Sequence, residues 1–315
     1  YLKKQAFATV LGIVLMLFVA GMDYHIWQRL AVFGYLAAVA LSVAVMLFGR
    51  EINGSKRWLA LGPFSFQPSE FAKVALILFL ADLVTKNVKT IGKMWTLCRI
   101  MFWILPIVGL VGASNLSTAI IILGIGVILI FVASPKYAQF ALMGLAGACF
   151  MGLFLALESY RLERLAIWRN PEKYEKGYQT LQGLYAIGSG GVFGVGLGNS
   201  VQKLGFVPEA QNDMIFSIIC EELGLAGAGI IVFLFLLLIW RFFMIASGSR
   251  DLFGALIATG AMAHMMIQVI LNIAVVTNTI PNTGITLPFI SYGGTSVMFL
   301  LIEMGLVLSV SQVVD

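Results

Sequence analysis

The sequence predicts an all-α integral membrane protein whose chain crosses the bilayer about nine times. Three observations predict this class: 60% of the 315 residues are hydrophobic, only 11% are charged, and the apolar residues fall in long runs. A soluble domain is about a quarter charged, so charge this sparse cannot cover a water-facing surface. Disorder is excluded as well, because disordered chains contain few hydrophobic residues.

The apolar runs give the membrane helices, since about 20 residues at a rise of about 1.5 Å cross the hydrocarbon. Nine runs cover residues 4–22, 28–48, 70–85, 98–113, 117–133, 138–157, 214–242, 252–276 and 296–313. The fourth and fifth are short, residues 114–116 alone separate them, and we expect Pro106 to interrupt the fourth. Such spans often put polar backbone around a cavity. The seventh is about 50 Å long if it continues to Ala246, so it should tilt, kink or project.

Three polar loops, residues 49–69, 158–213 and 277–295, share one face of the membrane if there are nine spans. The net charge is +5, from 20 Lys and Arg against 15 Asp and Glu. In a membrane protein this excess is typical of cations that flank spans and of an anionic ligand. Without the long loop, the polar-loop face carries 6 Lys and Arg and the opposite face 8, which weakly favours the opposite face as cytoplasmic.

The long loop contains a glycine-rich segment, residues 188–198, with six glycines in eleven positions. Glycine permits close backbone approach and positive φ, so this segment either packs tightly on other backbone or forms a backbone cradle for phosphate. It matches neither G-x-G-x-x-G nor a P-loop, which disfavours nucleotide binding. Residues 160–169 predict an amphipathic helix that lies at the membrane surface or packs on neighbouring protein.

Asp213 ends the long loop immediately before an apolar run. Its carboxylate could cap the following helix by accepting free N–H groups of the first turn. It could instead be a general base, because partial burial raises a carboxyl pKa toward the working range. Glu221 and Glu222 follow inside the run and cannot both face one cavity, so we expect at least one of them in a polar contact between helices.

The other two polar loops also carry candidate groups. Glu70 and Lys73 are three residues apart at the start of the third run, which predicts an ion pair that either supports the helix entrance or binds phosphate or sugar. Residues 281–295 contain two prolines and three glycines and cannot be a continuous helix. They form either a re-entrant loop that lines a cavity or a plain surface loop. Glu303, in the last run, should be a buried and paired carboxylate.

Several motifs together resemble the SEDS family, the shape, elongation, division and sporulation proteins. They are N-G-x-x-R-W at 53–58, Q-P-S-E-x-x-K at 67–73, G-S-G-G-x-F-G-x-G-L-G-N-S-x-Q-K at 188–203, P-E-A-x-x-D-x-I-F at 208–216, E-E-L-G at 221–224 and G-I-T-L-P-F-I-S-Y-G-G-T-S at 284–296. They occur in the family's order over most of the chain, and their joint occurrence is highly specific. The L-G-N-S-x-Q-K form resembles the FtsW and sporulation branch more than RodA.

The resemblance implies a single SEDS-type domain over residues 1–315, multi-pass in the bacterial cytoplasmic membrane, with the three polar loops outside the cell. The family has ten helices, and the first would be missing here. The implied activity is a peptidoglycan glycosyltransferase that polymerises lipid II. Asp213 would take the proton from the 4-hydroxyl of an acceptor sugar, whose oxygen attacks the anomeric carbon of a donor as undecaprenyl pyrophosphate leaves. The implied partner is a class B penicillin-binding protein, a single-pass transpeptidase.

The resemblance and the loop positions together give a set of candidate substrate-binding residues: Arg57, Trp58, Gln67, Glu70, Lys73, Asn115, Lys203, Glu209, Ser291 and Gly293. The cation candidates for the pyrophosphate are Arg57, Lys73 and Lys203, with Arg164 and Arg169 as weaker ones. No C-x-x-C or H-E-x-x-H pattern occurs, so no cysteine or zinc site is predicted. The need for a divalent cation stays open.

Three positions depart from the family pattern. Asn115 stands where the family usually has aspartate, Gln211 where it has histidine, and Asn278 where glycine is common. Asn115 matters most, because losing a carboxylate changes the electrostatics of a cavity or of any metal site.

Two other functions are compatible with the residues. Short broken helices and intramembrane carboxylates also suit a lipid II flippase, and the chain could instead be a non-catalytic scaffold for the transpeptidase. An enzyme should lose polymerisation on Asp213→Asn while keeping its fold. A flippase should tolerate that change better and depend on Glu221, Glu222 or Glu303. A scaffold should tolerate all of these changes.

Overall fold

The computed structural model of the chain describes residues 2–52, 55–61, 64–141, 144 and 166–314. Its helices are α1 Leu2–Ala20, α2 Tyr24–Phe48, α3 Pro68–Asn87, α4 Met94–Ser114, α5 Leu116–Ala133, α6 Tyr178–Gly190, α7 Ile215–Gly248, α8 Leu252–Val276 and α9 Gly294–Ser311. Seven of these described helices, all except α3 and α6, are long and apolar enough to cross a membrane.

Eight of the nine predicted spans coincide with helices, and the sixth, 138–157, lies almost entirely outside the described residues. The expected interruption at Pro106 is wrong, because α4 runs through this proline without a break. Proline removes one backbone donor, and membrane helices tolerate this where neighbouring groups compensate. The predicted break between the fourth and fifth spans is confirmed at Asn115, which is extended and ends α4.

The first polar loop is a small antiparallel sheet, which the sequence did not predict. Strands β1 Arg50–Ile52, β2 Ser55–Leu61 and β3 Phe64–Phe66 lie in the order β1-β2-β3. Trp58 on β2 is opposite Arg50 on β1. The sheet therefore fixes where Arg57 and Trp58 lie.

Two compact units make up the chain. Unit 1 comprises Tyr1–Pro135, Leu238–Ile267 and Gly293–Asp315, and unit 2 comprises Lys136–Leu237 and Gln268–Tyr292. In unit 1, α3 is buried over most of its length. Its four charged residues form pairs within the helix, Glu70 with Lys73 and Asp82 with Lys86, so each buried carboxylate has a cationic partner.

Unit 2 contains a kink in α7, which is one of the three alternatives expected from the length of the seventh span. At Gly224 the backbone has φ 65° and ψ −168°, a conformation that side chains rarely adopt. The kink leaves backbone groups of α7 without partners in the helix, and the glycine-rich segment forms hydrogen bonds with them. The carbonyls of Glu221 and Glu222 accept from the N–H groups of Val195 and Gly196, each at 3.0 Å.

On the other side of the kink, the N–H groups of Leu225 and Ala226 donate to the carbonyls of Gly191 and Val192 at 2.9 and 3.0 Å. A Cβ at Gly194 would lie 2.1 Å from the Glu222 carbonyl oxygen. The tight-packing interpretation of the glycine-rich segment is therefore confirmed. The alternative interpretation was a backbone cradle for phosphate. The N–H groups of residues 195 and 196 cannot serve it, because they already donate to protein carbonyls.

We predict that Gly224→Ala destabilises the protein by about 2 kcal/mol or more. An alanine there would be strained at φ 65°, and its Cβ would lie 2.4 Å from the N atom of Gly194. Thermal unfolding of the purified protein in detergent measures the effect.

The matched control is Gly229→Ala in the same helix, where an added Cβ would meet nothing within 4 Å. This change should leave stability equal or raise it by up to about 1 kcal/mol, because alanine is the better helix former. Equal melting temperatures for the two variants would contradict the assigned role of Gly224.

Candidate active site

Asp213 lies in a turn immediately before α7, which begins at Ile215. Asp213 is buried, with an exposed fraction of 9%. The side-chain amide of Gln179, on α6, donates to the two carboxylate oxygens at 3.3 and 3.4 Å. The amide of Asn282 donates in turn to the Gln179 carbonyl oxygen at 3.2 Å. This second bond fixes the orientation of Gln179, so that its NH₂ group is the end that faces Asp213.

The backbone of Asp213 is held by Asn272 of α8. The buried Asn272 amide donates to the Asp213 carbonyl oxygen at 2.9 Å and to the Ile285 carbonyl oxygen at 2.6 Å. A single side chain thus ties the turn that carries the carboxylate to the Pro- and Gly-rich loop.

The same loop makes two more bonds to this turn. The Ser291 hydroxyl donates to the Asn212 carbonyl oxygen at 2.6 Å, and the Tyr292 N–H donates to the Gln211 carbonyl oxygen at 2.8 Å. Ser291, a predicted substrate-binding residue, therefore positions the backbone next to Asp213. The loop has no continuous helix, as its prolines and glycines predicted.

Burial is the main cause that raises the pKa of the Asp213 carboxyl to about 6, and the negative charge of Glu209 raises this pKa further. The N–H groups of Asp213 and Met214 and the amide of Gln179 oppose the rise. The two backbone N–H groups lie just before the start of α7, and the Gln179 amide belongs to α6. The carboxylate is thus largely ionised at neutral pH and easily protonated below pH 6, which suits a group that accepts a proton.

Glu221 and Glu222 bind the long loop, so the expected polar contact between helices is wrong for both. Glu221 accepts from the Ser200 hydroxyl and from the Val201 N–H at 3.1 Å. Glu222 lies 2.5 Å from the ammonium of Lys203. The two carboxylates bind the loop because its free N–H groups and its lysine interact with a carboxylate more favourably than apolar helix surfaces do. Lys203, a predicted cation for pyrophosphate, is already in an ion pair.

Unit 1 contains two further buried pairs. Lys73 lies 3.0 Å from Glu70, with side chains 2% and 7% exposed, which confirms the predicted ion pair. His264 Nδ1 lies 2.7 Å from a carboxylate oxygen of Glu303, which confirms that Glu303 is buried and paired. Gln67 precedes α3, where its amide donates to the Ser69 hydroxyl at 3.1 Å.

Unit 1 also brings residues of two family motifs close to Asn115. Arg57 Nε donates to the Ser114 carbonyl oxygen at 3.0 Å. Arg57, Ser69 and Asn115 line a cavity of about 10 Å³, which is room for about one water. Asn115 caps α5, because its side-chain oxygen accepts from the Thr118 N–H at 3.2 Å.

The remaining predicted residues lie apart from Asp213's hydrogen bonds. Trp58 is half-buried on β2. Gly293 precedes α9 and donates its N–H to Gln5 at 3.2 Å. Glu209 is exposed and accepts from the Asn212 amide. Arg164 is outside the described residues.

Asn278, one of the departures from the family pattern, has φ 55°. Glycine is favoured in this left-handed region and asparagine tolerates it, which explains why both can occupy the position. Its carbonyl oxygen accepts from the Trp168 indole N–H at 3.0 Å. Trp168, Asn278 and the exposed Arg169 line an open cleft of about 500 Å³.

Sequence reasoning missed the three amides around Asp213. Asn272 could have been found, because a fully buried amide within an apolar span needs a polar partner. Gln179 and Asn282 lie in polar loop sequence, where nothing distinguishes them. Within the described ranges, no group of three or more His, Cys, Asp or Glu side chains could hold a metal ion.

Comparison with known proteins gives one consistent result. A family model described as "Cell cycle protein", covering FtsW, RodA and SpoVE, matches residues 1–315. Stage V sporulation protein E of Bacillus subtilis (strain 168) is 40% identical, over 99% of this chain and 87% of that protein. The "Probable peptidoglycan glycosyltransferase FtsW" of Trichlorobacter lovleyi is 34% identical, over 99% of this chain and 83% of that protein.

Two solved structures have the same fold. One, described as "Structural coordination of polymerization and crosslinking by a peptidoglycan synthase complex", matches with a TM-score of 0.86 at 30% identity, over 99% of this chain and 89% of that chain. The Rod shape determining protein RodA of Thermus thermophilus matches with a TM-score of 0.73 at 29% identity, over 99% and 87%. The predicted family and the predominantly helical membrane fold are confirmed.

We predict that Asp213→Asn stabilises the protein at neutral pH. The pKa of this carboxyl rises from 3.8 to about 6 on folding. Between these values the folded state binds more protons than the unfolded state, so stability falls as pH rises and levels off above about pH 6. A rise of about two in pKa corresponds to about 3 kcal/mol of lost stability, and asparagine avoids this loss.

The difference in melting temperature between the Asp213→Asn variant and the unmodified protein should therefore grow from about pH 4 to about pH 7.5. Glu175→Gln, a change at an exposed carboxylate in the same unit, should show no such growth. A pH-independent difference for Asp213→Asn would contradict the raised pKa.

Proposed function

The chain belongs to the FtsW, RodA and SpoVE family of cell cycle proteins, and we propose on this premise that it polymerises lipid II, with Asp213 as the general base. The chain is a multi-pass membrane protein, and its FtsW relatives carry the name peptidoglycan glycosyltransferase. The observation that supports the choice of base is the buried Asp213 carboxylate, with its pKa raised to about 6.

In the proposed reaction, the Asp213 carboxylate accepts the proton of the acceptor sugar's 4-hydroxyl as that oxygen attacks the anomeric carbon of the donor. The new glycosidic bond forms as the bond to the pyrophosphate oxygen breaks, and undecaprenyl pyrophosphate leaves with the bonding electrons. Asp213 then releases its proton to water. A base whose pKa is about 6 is ionised before the reaction and becomes a stronger proton acceptor than an ordinary exposed aspartate.

Cations near the leaving pyrophosphate would stabilise its negative charge. Lys203 and Lys73 each have a carboxylate partner, Glu222 and Glu70, which offsets their charge. Arg169 is exposed in unit 2, the unit that also contains Asp213. We therefore favour Arg169 over Lys203 as the cation for the pyrophosphate, while Arg57 is the candidate within unit 1.

The proposal includes the setting of the enzyme. We place it in the bacterial cytoplasmic membrane, with Asp213 and the three polar loops on the outer side, where lipid II is polymerised. A class B penicillin-binding protein is the proposed partner, because one structural match is a peptidoglycan synthase complex that combines polymerisation and crosslinking.

Asp213→Asn should lower the rate of glycan polymerisation at least ~100-fold, because loss of a general base removes about 10²–10⁴ of rate. The test is purified protein with its transpeptidase, lipid II as substrate, and polymer separated on a gel. Folding and transpeptidase binding are measured on the same samples, and Glu175→Gln should retain normal activity.

Polymer from a folded Asp213→Asn variant at the normal rate would place the base elsewhere. If neither protein makes polymer while both bind the transpeptidase, the chain is a scaffold or a flippase.

The pH dependence of the rate should follow the ionisation of Asp213. The rate should rise about tenfold per pH unit below pH 6 and level off above it. Gln179→Met removes a donor that lowers this pKa, so the acidic limb of the profile should move to higher pH. Gln182→Met, three residues along the same helix, should leave the profile in place. An unchanged limb in the Gln179→Met variant would mean that Asp213 does not set the pH dependence.

A further inference from the structure

The outer surface of the glycine-rich segment and its continuation is apolar. We call residues 191–206 the apolar loop. Its most exposed side chains are Phe193 at 84%, Leu197 at 79% and Leu204 at 75%, and the other exposed apolar residues are Val192, Val195, Val201 and Phe206. An exposed apolar patch of this kind in a loop marks contact with a membrane or with another protein.

Several polar side chains of the apolar loop bind α7 or the loop's own backbone. Its only charged residue, Lys203, pairs with Glu222. The Asn199 amide donates to the Val195 carbonyl oxygen at 3.2 Å, and the Ser200 hydroxyl donates to Glu221. The side chains of Asn199, Ser200 and Lys203 thus bind protein groups while the large apolar side chains are exposed, which is the reverse of a loop that faces water.

The apolar loop also has a definable depth in the membrane. The charged residues of α7 are Glu221, Glu222 and Arg241, and eighteen uncharged residues lie between Glu222 and Arg241. At the helical rise, and apart from the kink at Gly224, eighteen residues span about 27 Å, close to the roughly 30 Å thickness of the hydrocarbon core. Glu221 and Glu222 therefore mark one edge of the hydrocarbon.

The loop is bonded to α7 at this edge. Val195 and Gly196 donate to the carbonyls of Glu221 and Glu222, and the Gly191 carbonyl accepts from Leu225, one residue past the kink. Irregular backbone is tolerated at this depth only where its polar groups are satisfied, and the kinked helix binds backbone groups of residues 191, 192, 195 and 196.

We infer that the apolar loop inserts Phe193, Leu197 and Leu204 into the adjacent leaflet of the bilayer, so that lipid acyl chains cover this surface. Three features select lipid over a soluble partner: the depth of the loop on α7, the pairing of its one charged residue with Glu222, and the exposure of its apolar side chains. The inference concerns membrane contact alone, so it holds or fails independently of the glycosyltransferase activity.

The test measures the depth of single fluorophores in lipid vesicles. The parent is the full chain with Cys98, Cys149 and Cys220 replaced by alanine, shown by size-exclusion chromatography to be monodisperse. The environment-sensitive dye NBD is attached at Phe193→Cys or Leu197→Cys, and at Glu175→Cys as the exposed polar control in the same unit. The protein is placed in phosphatidylcholine vesicles with nitroxide groups at the 5 or 12 position of the acyl chain, or with iodide in the buffer.

Labels at 193 and 197 should emit at shorter wavelength than the label at 175. The 5-nitroxide lipid should quench them at least twofold more than it quenches the label at 175, and iodide should quench them less. If iodide quenches all three positions equally, the loop lies in water and the inference is wrong. If protection from iodide requires added transpeptidase and no lipid quenching occurs, the surface is a protein-docking site and the inference is also wrong.

Discussion

The break in α7 at Gly224 is the constraint on which the rest of unit 2 depends. A broken helix leaves backbone donors and acceptors without partners, and a membrane offers no water to satisfy them. The glycine-rich segment supplies those partners on both sides of the kink. Once it is bound there, residues 200–203 reach the carboxylates of Glu221 and Glu222. The long loop is thereby held against the helix that Asp213 precedes.

The position of Asp213 reflects a compromise between burial and ionisation. Asp213 precedes Glu221 by eight residues and lies in the turn before α7, outside the apolar run. Burial raises the pKa of its carboxyl to about 6, while the Gln179 amide and the N–H groups of Asp213 and Met214 oppose this rise. Asn272 and Ser291 hold only the backbone of this turn. The carboxylate oxygens therefore keep the capacity to accept a proton.

The sequence predicts the helices well because apolar runs of membrane length have few alternative structures. It predicts the Glu70–Lys73 pair because both residues lie on one helix. The sequence does not predict hydrogen bonds between residues that are far apart along the chain. The Gln179–Asp213 bond joins residues 34 apart, and nothing in the sequence indicates which amide meets which acid. The short sheet at Arg57 was missed because its strands lie between turns in a loop that composition marks only as polar.

Asn115 shows how a departure from the family pattern can leave the fold unchanged. Its side-chain oxygen caps α5 by accepting from the Thr118 N–H, and an aspartate oxygen would do the same. The substitution therefore removes a charge without removing the cap. It does so in a cavity that Arg57 also lines, and the guanidinium there donates to the neutral Ser114 carbonyl. Asparagine at 115 thus makes the cavity that Arg57 lines less negative than aspartate would, and it leaves the cap at the junction between α4 and α5 in place.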